Sequence, residues 1–471
     1  MRWSTTAFFD ELAKIAAQAE LLTQLKPHQQ RVVERMRTAP GLVVAHGLGS
    51  GKTLSSIAAA LESEGGARVL VPAALIGNYQ KELAKHVKGD SSIDVGSLQR
   101  AVSTGKIDPT PMLIVDEAHR AKNVGTRTQA MLRSAPAAKR MLLTGSPIYN
   151  RPSDIASLVN IAAGDRVLPE GEAFSSRYVK EPGTGFWSSM PWSQKDPTLQ
   201  NKEELQKALQ QWVDYHESTG SDFPSSASER IAVPMSKQQR KLHDAAWGQL
   251  PFASRWRLRA GLPPGKEDLA ALNKFESQAR QVASTESPFT TGVAAPTPKI
   301  QRASSEFLQA SEKNPEHRAL VFSNYLGTLK DYASTLEQKK VPYGIISGKQ
   351  SQRERIQTVK DYNEGKLRAL LLSSAGGEGL DLKGTRQVQI LEPHWNDEKI
   401  KQVVGRAIRT GSHSHLPESA RNVKIQRFES YPEGFLGTKK RGVEQVLYDL
   451  SESKERLNQQ IRDLMKRKEG R

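Results

Sequence analysis

The chain reads as an α/β protein of two tandem lobes, each built around a parallel sheet, with an inserted mainly helical region and a C-terminal helix. Two observations predict this class. Short β-branched and leucine-rich runs recur with turn residues behind them, and segments of helical pattern lie between those runs. Continuous apolar runs of that length are what strands look like when a sheet is buried on both faces. Strand and helix in strict alternation are what a parallel sheet requires of its connections.

Residues 1–24 are expected to form an N-terminal amphipathic helix. Asp10, Glu11 and Lys14 interrupt the uncharged core that a signal peptide would need. Residues 25–165 form the first lobe, with strands in "GLVVAHG" at 41–47, "ARVLVPA" at 67–73, "PMLIVDEAH" at 111–119 and "RMLLTGS" at 140–146. "KTLSSIAAALESE" and "ALIGNYQKELAKHV" supply helices between them. Residues 166–298 are rich in Pro, Ser, Gly, Gln and charge, and hold Trp187, Trp192, Trp212, Trp247 and Trp256. This region is expected to be a helical insertion, with "TGSDFPSSASER" at 219–230 and "STESPFTTGVAAPTP" at 284–298 as flexible connectors.

The alternation returns in residues 299–440, the second lobe, with "RALVFSNY" at 318–325, "LRALLLSS" at 367–374, "RQVQILEP" at 386–393 and "NVKIQRFES" at 422–430. In residues 441–471, Val443, Leu447, Leu450, Leu457, Ile461 and Leu464 are spaced as on one helix face, with Lys454 breaking the seam. Three interrupted heptads fit a helix packed on its own domain better than a coiled coil.

At 471 residues the chain exceeds what a single hydrophobic core serves, and with 37% hydrophobic residues it has an ordinary globular composition. No cysteine is present, so disulfides, thiolate zinc sites, iron–sulfur clusters and cysteine nucleophiles are excluded. No apolar run approaches the ~20 residues of a membrane span. The formal net charge of +17 predicts long-range attraction to a polyanion, and nucleic acid is the favoured partner.

"AHGLGSGKT" at 45–53 follows a strand and opens a helix, the context in which a glycine-rich turn offers backbone N–H groups to phosphates. Gly47, Gly49, Ser50 and Gly51 would cradle the phosphates of ATP, Lys52 would neutralise them, and Thr53 would reach Mg²⁺. The usual template has glycine where this chain has His46. About 60 positions on, "LIVDEAH" ends a strand in two carboxylates. Asp116 is the expected Mg²⁺ ligand, and Glu117 is expected to orient or deprotonate the attacking water.

The quartet Asp-Glu-Ala-His resembles the signature of superfamily 2 helicases and translocases, and further motifs follow in that family's order. "LKPHQQRVVERM" at 25–36 resembles the Q motif of the Swi/Snf-like branch, which implies that Gln29 reads the adenine edge. "LLTGSPIYN" at 142–150 resembles motif III, implying that Thr144, Gly145 and Ser146, with His119, couple nucleotide state to the other lobe. "ALLLSSAGGEGLDL" at 369–382 resembles motif V, which brings Gly379 and Asp381 to the nucleotide, and "QVVGRAIRTG" at 402–411 resembles motif VI. Motif VI implies a coupling role for Gln402 and catalytic arginines at Arg406 and Arg409, placed on one helical face by their i, i+3 spacing.

The resemblance covers residues 25–165 and 299–465. It implies RecA-like lobes, ATP and Mg²⁺ as cofactors, and a bracing role for the C-terminal helix. By motif position, nucleic acid would be contacted by Pro72, Ala73, Ser97, Ser323, Asn324, Ser373, Ser374, Trp395 and Asn396. Around motif VI the sequence is most similar to the poxvirus and giant-virus branch, which carries the viral nucleoside triphosphate phosphohydrolase and the early transcription factor ATPase. That implies a viral or phage lineage. It also implies a cytoplasmic protein, or a host-cell or virion location, with a nuclear one for a eukaryotic homologue.

"SHSHLP" places His413 and His415 two apart, but no Asp, Glu or third His lies at ligand spacing, and His394 is the sole recruit. The run is therefore read as a polar loop. "RWRLR" at 255–259 mixes aromatic and basic residues, and is either a DNA-facing wedge or an amphipathic helix. The function expected is an ATP-driven monomeric motor on double-stranded DNA. A strand-separating DNA or RNA helicase is the first alternative. The second is a nucleotide-gated clamp that binds RNA polymerase or other transcription proteins through residues 166–298.

Overall fold

In the computed structural model, residues 19–47, 49–180, 196–217, 223–252, 255, 279–286, 295–374, 380–394, 397–434 and 438–467 are described. They divide between two compact units. The first is drawn from Met1–Glu181, Pro197–Ser218 and Arg456–Arg471, the second from Pro182–Asp196 and Thr219–Glu455.

The first unit is built on a six-stranded sheet: β1 (Gly41–His46), β2 (Ala67–Val71), β3 (Ile93–Ser97), β4 (Thr110–Val115), β5 (Ala137–Thr144) and β6 (Val213–His216). Their order across the sheet is β6-β1-β5-β4-β2-β3, and every pairing is parallel. Successive side chains alternate faces. Leu42, Val44, Val69, Val71, Met112, Ile114, Met141 and Leu143 share a core with Val32, Val33 and Met36 of helix α1 (Pro27–Thr38) and Ile57 of α2 (Lys52–Leu61). Val43, Ala45, Leu70, Leu113, Val115 and Leu142 meet Ile155, Leu158 and Val159 on the other face. The apolar runs are continuous because both faces are covered. The fit is tightest at Gly41, where a Cβ would lie 1.9 Å from the Ala162 carbonyl oxygen.

The second unit repeats the plan with β7 (Ser225–Pro234), β8 (Ala319–Ser323), β9 (Tyr343–Ile346), β10 (Ala369–Ser373), β11 (Gln387–Ile390) and β12 (Asn422–Tyr431), ordered β7-β12-β11-β8-β10-β9 and again all parallel. Leu320, Phe322, Leu370, Leu372, Val388 and Ile390 face Ile400, Val403 and Ala407 of α4 (Asp397–Ala407). Val321 and Leu371 face Ile300, Ala303 and Phe307 of α3 (Pro298–Lys313).

The residues expected to be a helical insertion contribute a strand to each sheet, β6 to the first and β7 to the second. "TGSDFPSSASER", read as a connector, is strand from Ser225 onward. As an edge strand it is mostly exposed, so it carries no apolar pattern to betray it. Of the expected N-terminal helix at 1–24, residues 1–18 lie outside the described residues, and within the remainder Glu20–Leu21 form a short strand against Val87–Lys88 instead of helix. The C-terminal helix α5 runs Val443–Met465. Val443, Val446 and Leu447 pack with Ala246, Trp247 and Leu250 in the second unit, and Leu457, Ile461 and Met465 join the first unit's core.

In the second unit, Lys299 and Glu444 form an ion pair with both side chains 0% exposed. The Lys299 ammonium lies 2.6 and 2.8 Å from the two Glu444 oxygens and donates to the Leu391 carbonyl at 3.0 Å. Burial pushes Glu444 up to about 7 in spite of its partner. A buried charge left alone costs far more than the pair contributes. Lys299→Met is therefore expected to lower the second unit's stability by about 3 kcal/mol or more in urea unfolding, with most of it regained in Lys299→Met/Glu444→Leu. A single variant within about 1 kcal/mol of the parent would refute the arrangement.

Candidate active site

In the first unit the chemistry-bearing residues stand at the carboxyl ends of adjacent strands. The phosphate-loop residues follow β1, Thr144 closes β5, and Asp116 and Glu117 follow β4. Register puts Ala45 beside Thr144 and Val115 beside Leu142, so the three segments are neighbours. Open parallel sheets bind ligands at this edge because the strand ends, unlike the faces, are free of packing.

Gly49 and Gly51 both adopt the left-handed region, at φ 76° and 77°, which glycine enters without penalty. Gly51 is the N-cap of α2, and a helix N-terminus favours an anion. The Lys52 ammonium is folded back onto the carbonyls of His46 and Gly47, at 2.9 and 3.0 Å, where a phosphate would be its natural counter-charge. Among the described residues the buried Ser50 hydroxyl has no hydrogen-bond partner. Thr53 and Asp116 together offer oxygen donors only, the set a Mg²⁺ ion takes. These residues fit a magnesium nucleotide.

Gln29 is 3% exposed, and its amide is engaged by the loop itself. Its oxygen accepts from the Lys26 N–H at 2.8 Å, and its nitrogen donates to the carbonyls of Ser50 and Gly51 at 3.2 and 3.3 Å. In this conformation Gln29 braces the phosphate loop rather than turning toward a base.

Asp116 continues β4 by donating its N–H to the Leu70 carbonyl at 2.9 Å, and its carboxylate accepts the Glu117 N–H at 2.8 Å. Desolvation, with the Glu117 charge alongside, pushes Asp116 up to about 6. Glu117 holds φ at +50°, a strained conformation for a residue with a Cβ, costing about 1–2 kcal/mol. The strain aims its carboxylate at His119, 3.2 Å away. The His119 ring stacks parallel to Tyr149, with centroids 5.1 Å apart, and Lys122 sits 3.3 Å over the Tyr149 ring. Burial lowers Lys122 to about 8. The Thr144 hydroxyl, fully buried, accepts the Ser146 N–H at 3.0 Å and so shapes the turn through Gly145.

Further along the same edge, Pro72 and Ala73 follow β2 and Ser97 ends β3. Gln99 joins them, its amide oxygen accepting from the Ala73 N–H at 2.9 Å and the Ser97 hydroxyl at 3.2 Å.

The family models for the SNF2-related domain and the helicase conserved C-terminal domain match residues 97–287 and 299–411 respectively. A protein of Acanthamoeba polyphaga mimivirus named as an ATP-dependent RNA helicase is 30% identical over 421 residues, which cover 86% of this chain and 89% of that protein. The chain belongs to the Swi/Snf-like branch of the superfamily 2 helicases. The termination factor NPH-I homolog of African swine fever virus is 32% identical over a shorter stretch, covering 31% of this chain and 23% of that protein. The DNA repair and recombination protein of Oryza sativa subsp. japonica is 23% identical, covering 94% of this chain and 52% of its own length. The family's members are ATP-hydrolysing nucleic-acid motors, and the two six-stranded parallel sheets are its paired RecA-like folds.

In the second unit, Ser323 and Ser373 are register partners at the ends of β8 and β10. The buried Glu392 accepts from the Ser323 hydroxyl at 2.9 Å and the Asn324 N–H at 3.0 Å, and the buried Ser373 hydroxyl has no hydrogen-bond partner among the described residues. Ser374 is exposed just beyond. Gln402 and Arg406 are half-buried on α4. The helix ends at Ala407, so Arg409 does not share a helical face with Arg406 as its spacing implied. A turn positions it instead: its N–H donates to the Ser412 hydroxyl at 3.2 Å, and that hydroxyl donates back to its carbonyl at 2.8 Å. Its guanidinium lies 3.6 Å from Asp381. Gly379, Trp395 and Asn396 lie outside the described residues, as do residues 256–259 of "RWRLR".

His413 has both ring nitrogens engaged, one with the Ser412 hydroxyl and one with the Thr385 carbonyl, each at 2.8 Å. "SHSH" thus pins the turn that carries Arg409. Sequence reasoning passed over Tyr149, Gln99 and Glu392, which act through other residues and carry no motif spacing. It also passed over Asp214 and His216, hidden in a region read as insertion.

Glu117→Gln keeps the side chain's size and removes the base. It is expected to bind ATP within a few fold of the parent while turnover falls at least ~10²-fold. Near-normal turnover would remove Glu117 from catalysis.

Proposed function

We propose that the chain is an ATP- and Mg²⁺-dependent motor that translocates on double-stranded DNA. The observation that carries the nucleotide part is the meeting of the phosphate loop, the Asp116–Glu117 pair and the Thr144–Ser146 turn at three adjacent strand ends. Lys52 and the loop amides hold the phosphates, and Thr53 and Asp116 hold the magnesium ion. That ion, when bound, neutralises charge on the β and γ phosphates. Glu117 orients the attacking water and takes its proton, with His119 steadying the carboxylate. By the motif VI resemblance, Arg406 and Arg409 would stabilise charge developing on the γ-phosphate, a task suited to a planar, permanently charged guanidinium.

For the polymer, the net charge of +17 supports nucleic acid, and the strand-end residues Pro72, Ala73, Ser97, Ser323, Asn324, Ser373 and Ser374 would meet phosphates rather than bases. The rice relative's name supports DNA. A second reading, an RNA helicase, is favoured by the name of the mimivirus relative, and the termination-factor relative supports a partner in transcription.

ATPase rates with duplex DNA, single-stranded DNA and RNA, compared at one fixed salt concentration, decide between these readings. Stimulation by duplex, with triplex displacement and no unwinding of a tailed duplex, is the expected result; stimulation by RNA alone would overturn it. Arg409→Ala is expected to leave ATP affinity within a few fold and to cut turnover at least ~10²-fold. Unchanged turnover would take the arginine out of the reaction.

A further inference from the structure

The phosphate loop departs from its template at His46, and the structure gives that residue a task. His46 is the last residue of β1, fully buried, and its Nε2 lies 2.8 Å from a carboxylate oxygen of Asp214. Asp214 belongs to the edge strand β6, which pairs with β1 in register, Asp214 opposite Val44 and His216 opposite His46. Its carboxylate is a hub. Arg31 grips both oxygens, at 2.9 and 2.8 Å, and Arg35 adds a third hydrogen bond at 3.1 Å. Burial alone would raise its affinity for a proton, yet the hydrogen bonds from His46 and Arg31 hold Asp214 well below the usual carboxylate range.

The same strand holds the loop's backbone, since the Gly47 N–H donates to the His216 carbonyl at 2.9 Å. On α1, the helix that supplies Arg31 and Arg35, the His28 ring stacks on His216 with centroids 4.0 Å apart and contacts the Ser50 carbonyl at 2.9 Å. Burial lowers the His46 pKa, so the imidazole is neutral, and its proton lies on Nε2 because the Asp214 carboxylate can only accept; among the described residues the buried Nδ1 has no hydrogen-bond partner. A glycine at this position would leave the loop's entry tied by backbone alone. Lys52, whose ammonium rests on the His46 carbonyl, depends on where that residue is held.

We propose that His46 and Asp214 are positioning residues for the nucleotide: with Arg31 and Arg35 they anchor the first residue of the phosphate loop to the edge strand and so set ATP affinity. The inference rests on reading the loop as the ATP site. Neither side chain touches the reacting atoms, so the network acts on binding and leaves the hydrolytic step alone.

The test is steady-state ATPase kinetics and ATP titration on the full chain. His46→Ala is expected to raise the KM and Kd for ATP at least ~10-fold with kcat within about 3-fold of the parent. His46→Gln, whose amide nitrogen reaches as far as Nε2, is expected to restore both constants to within about 3-fold. Unchanged affinity in His46→Ala overturns the proposal, as does a His46→Gln as weak as His46→Ala. If His46→Ala does not fold, Asp214→Asn, equal in shape, carries the same expectation and the same refutation. Lys52→Ala separates the two levels. If it retains ATP binding, the site reading itself fails; if it loses binding while His46→Ala does not, the positioning role alone fails.

Discussion

A sheet packed on both faces can present polar groups only at its strand ends, and the rest of this structure follows from that constraint. In the first unit, alternate residues of β1, β2, β4 and β5 are committed to two separate cores. Because the strands are parallel, their carboxyl ends share one edge, and loops that leave them are neighbours whatever their distance in sequence. Thus residues 46–53, 116–119 and 144–146 meet without any one of them having to reach. The second unit applies the same rule to Ser323, Ser373 and Glu392.

The polar residues at that edge are held by a layer of other polar residues. Gln29 and His28 brace the phosphate loop, Tyr149 stacks on His119, Gln99 bridges Ala73 and Ser97, and Ser412 with His413 sets the turn at Arg409. A reacting group gains from being held before substrate arrives, since no reorganisation is then required at the moment of reaction. The strained backbone of Glu117 belongs to the same design: a residue at φ +50° persists because the Asp116 carboxylate holds its N–H on one side and the Arg120 N–H holds its carbonyl on the other.

Much of this was legible in the sequence. Strands buried on both faces announce themselves, so "GLVVAHG", "PMLIVDEAH" and "RALVFSNY" were found, although the second strand stops at Val115 and leaves Asp116 and Glu117 just beyond it. The edge strands were not. Ser225–Pro234 and Val213–His216 have one side unpartnered or polar, and neither shows the apolar run of a central strand. Asp214 was missed for that reason, and the spacing of Arg406 and Arg409 misled because the helix stops two residues before Arg409.

By itself the sequence determined the fold class, the glycine-rich loop after the first strand, the acidic pair and the order of the motifs. Those depend on local chemistry: glycine where the backbone turns left-handed, carboxylates at a strand tip, apolar runs where both faces are covered. Only the tertiary structure decided that His46 is tied to Asp214, that Gln29 faces the loop, and that the residues after 166 complete both sheets. Those are contacts between residues distant in the chain, His46 and Asp214 by 168 positions, and spacing along a chain carries no record of which edge strand a loop will meet.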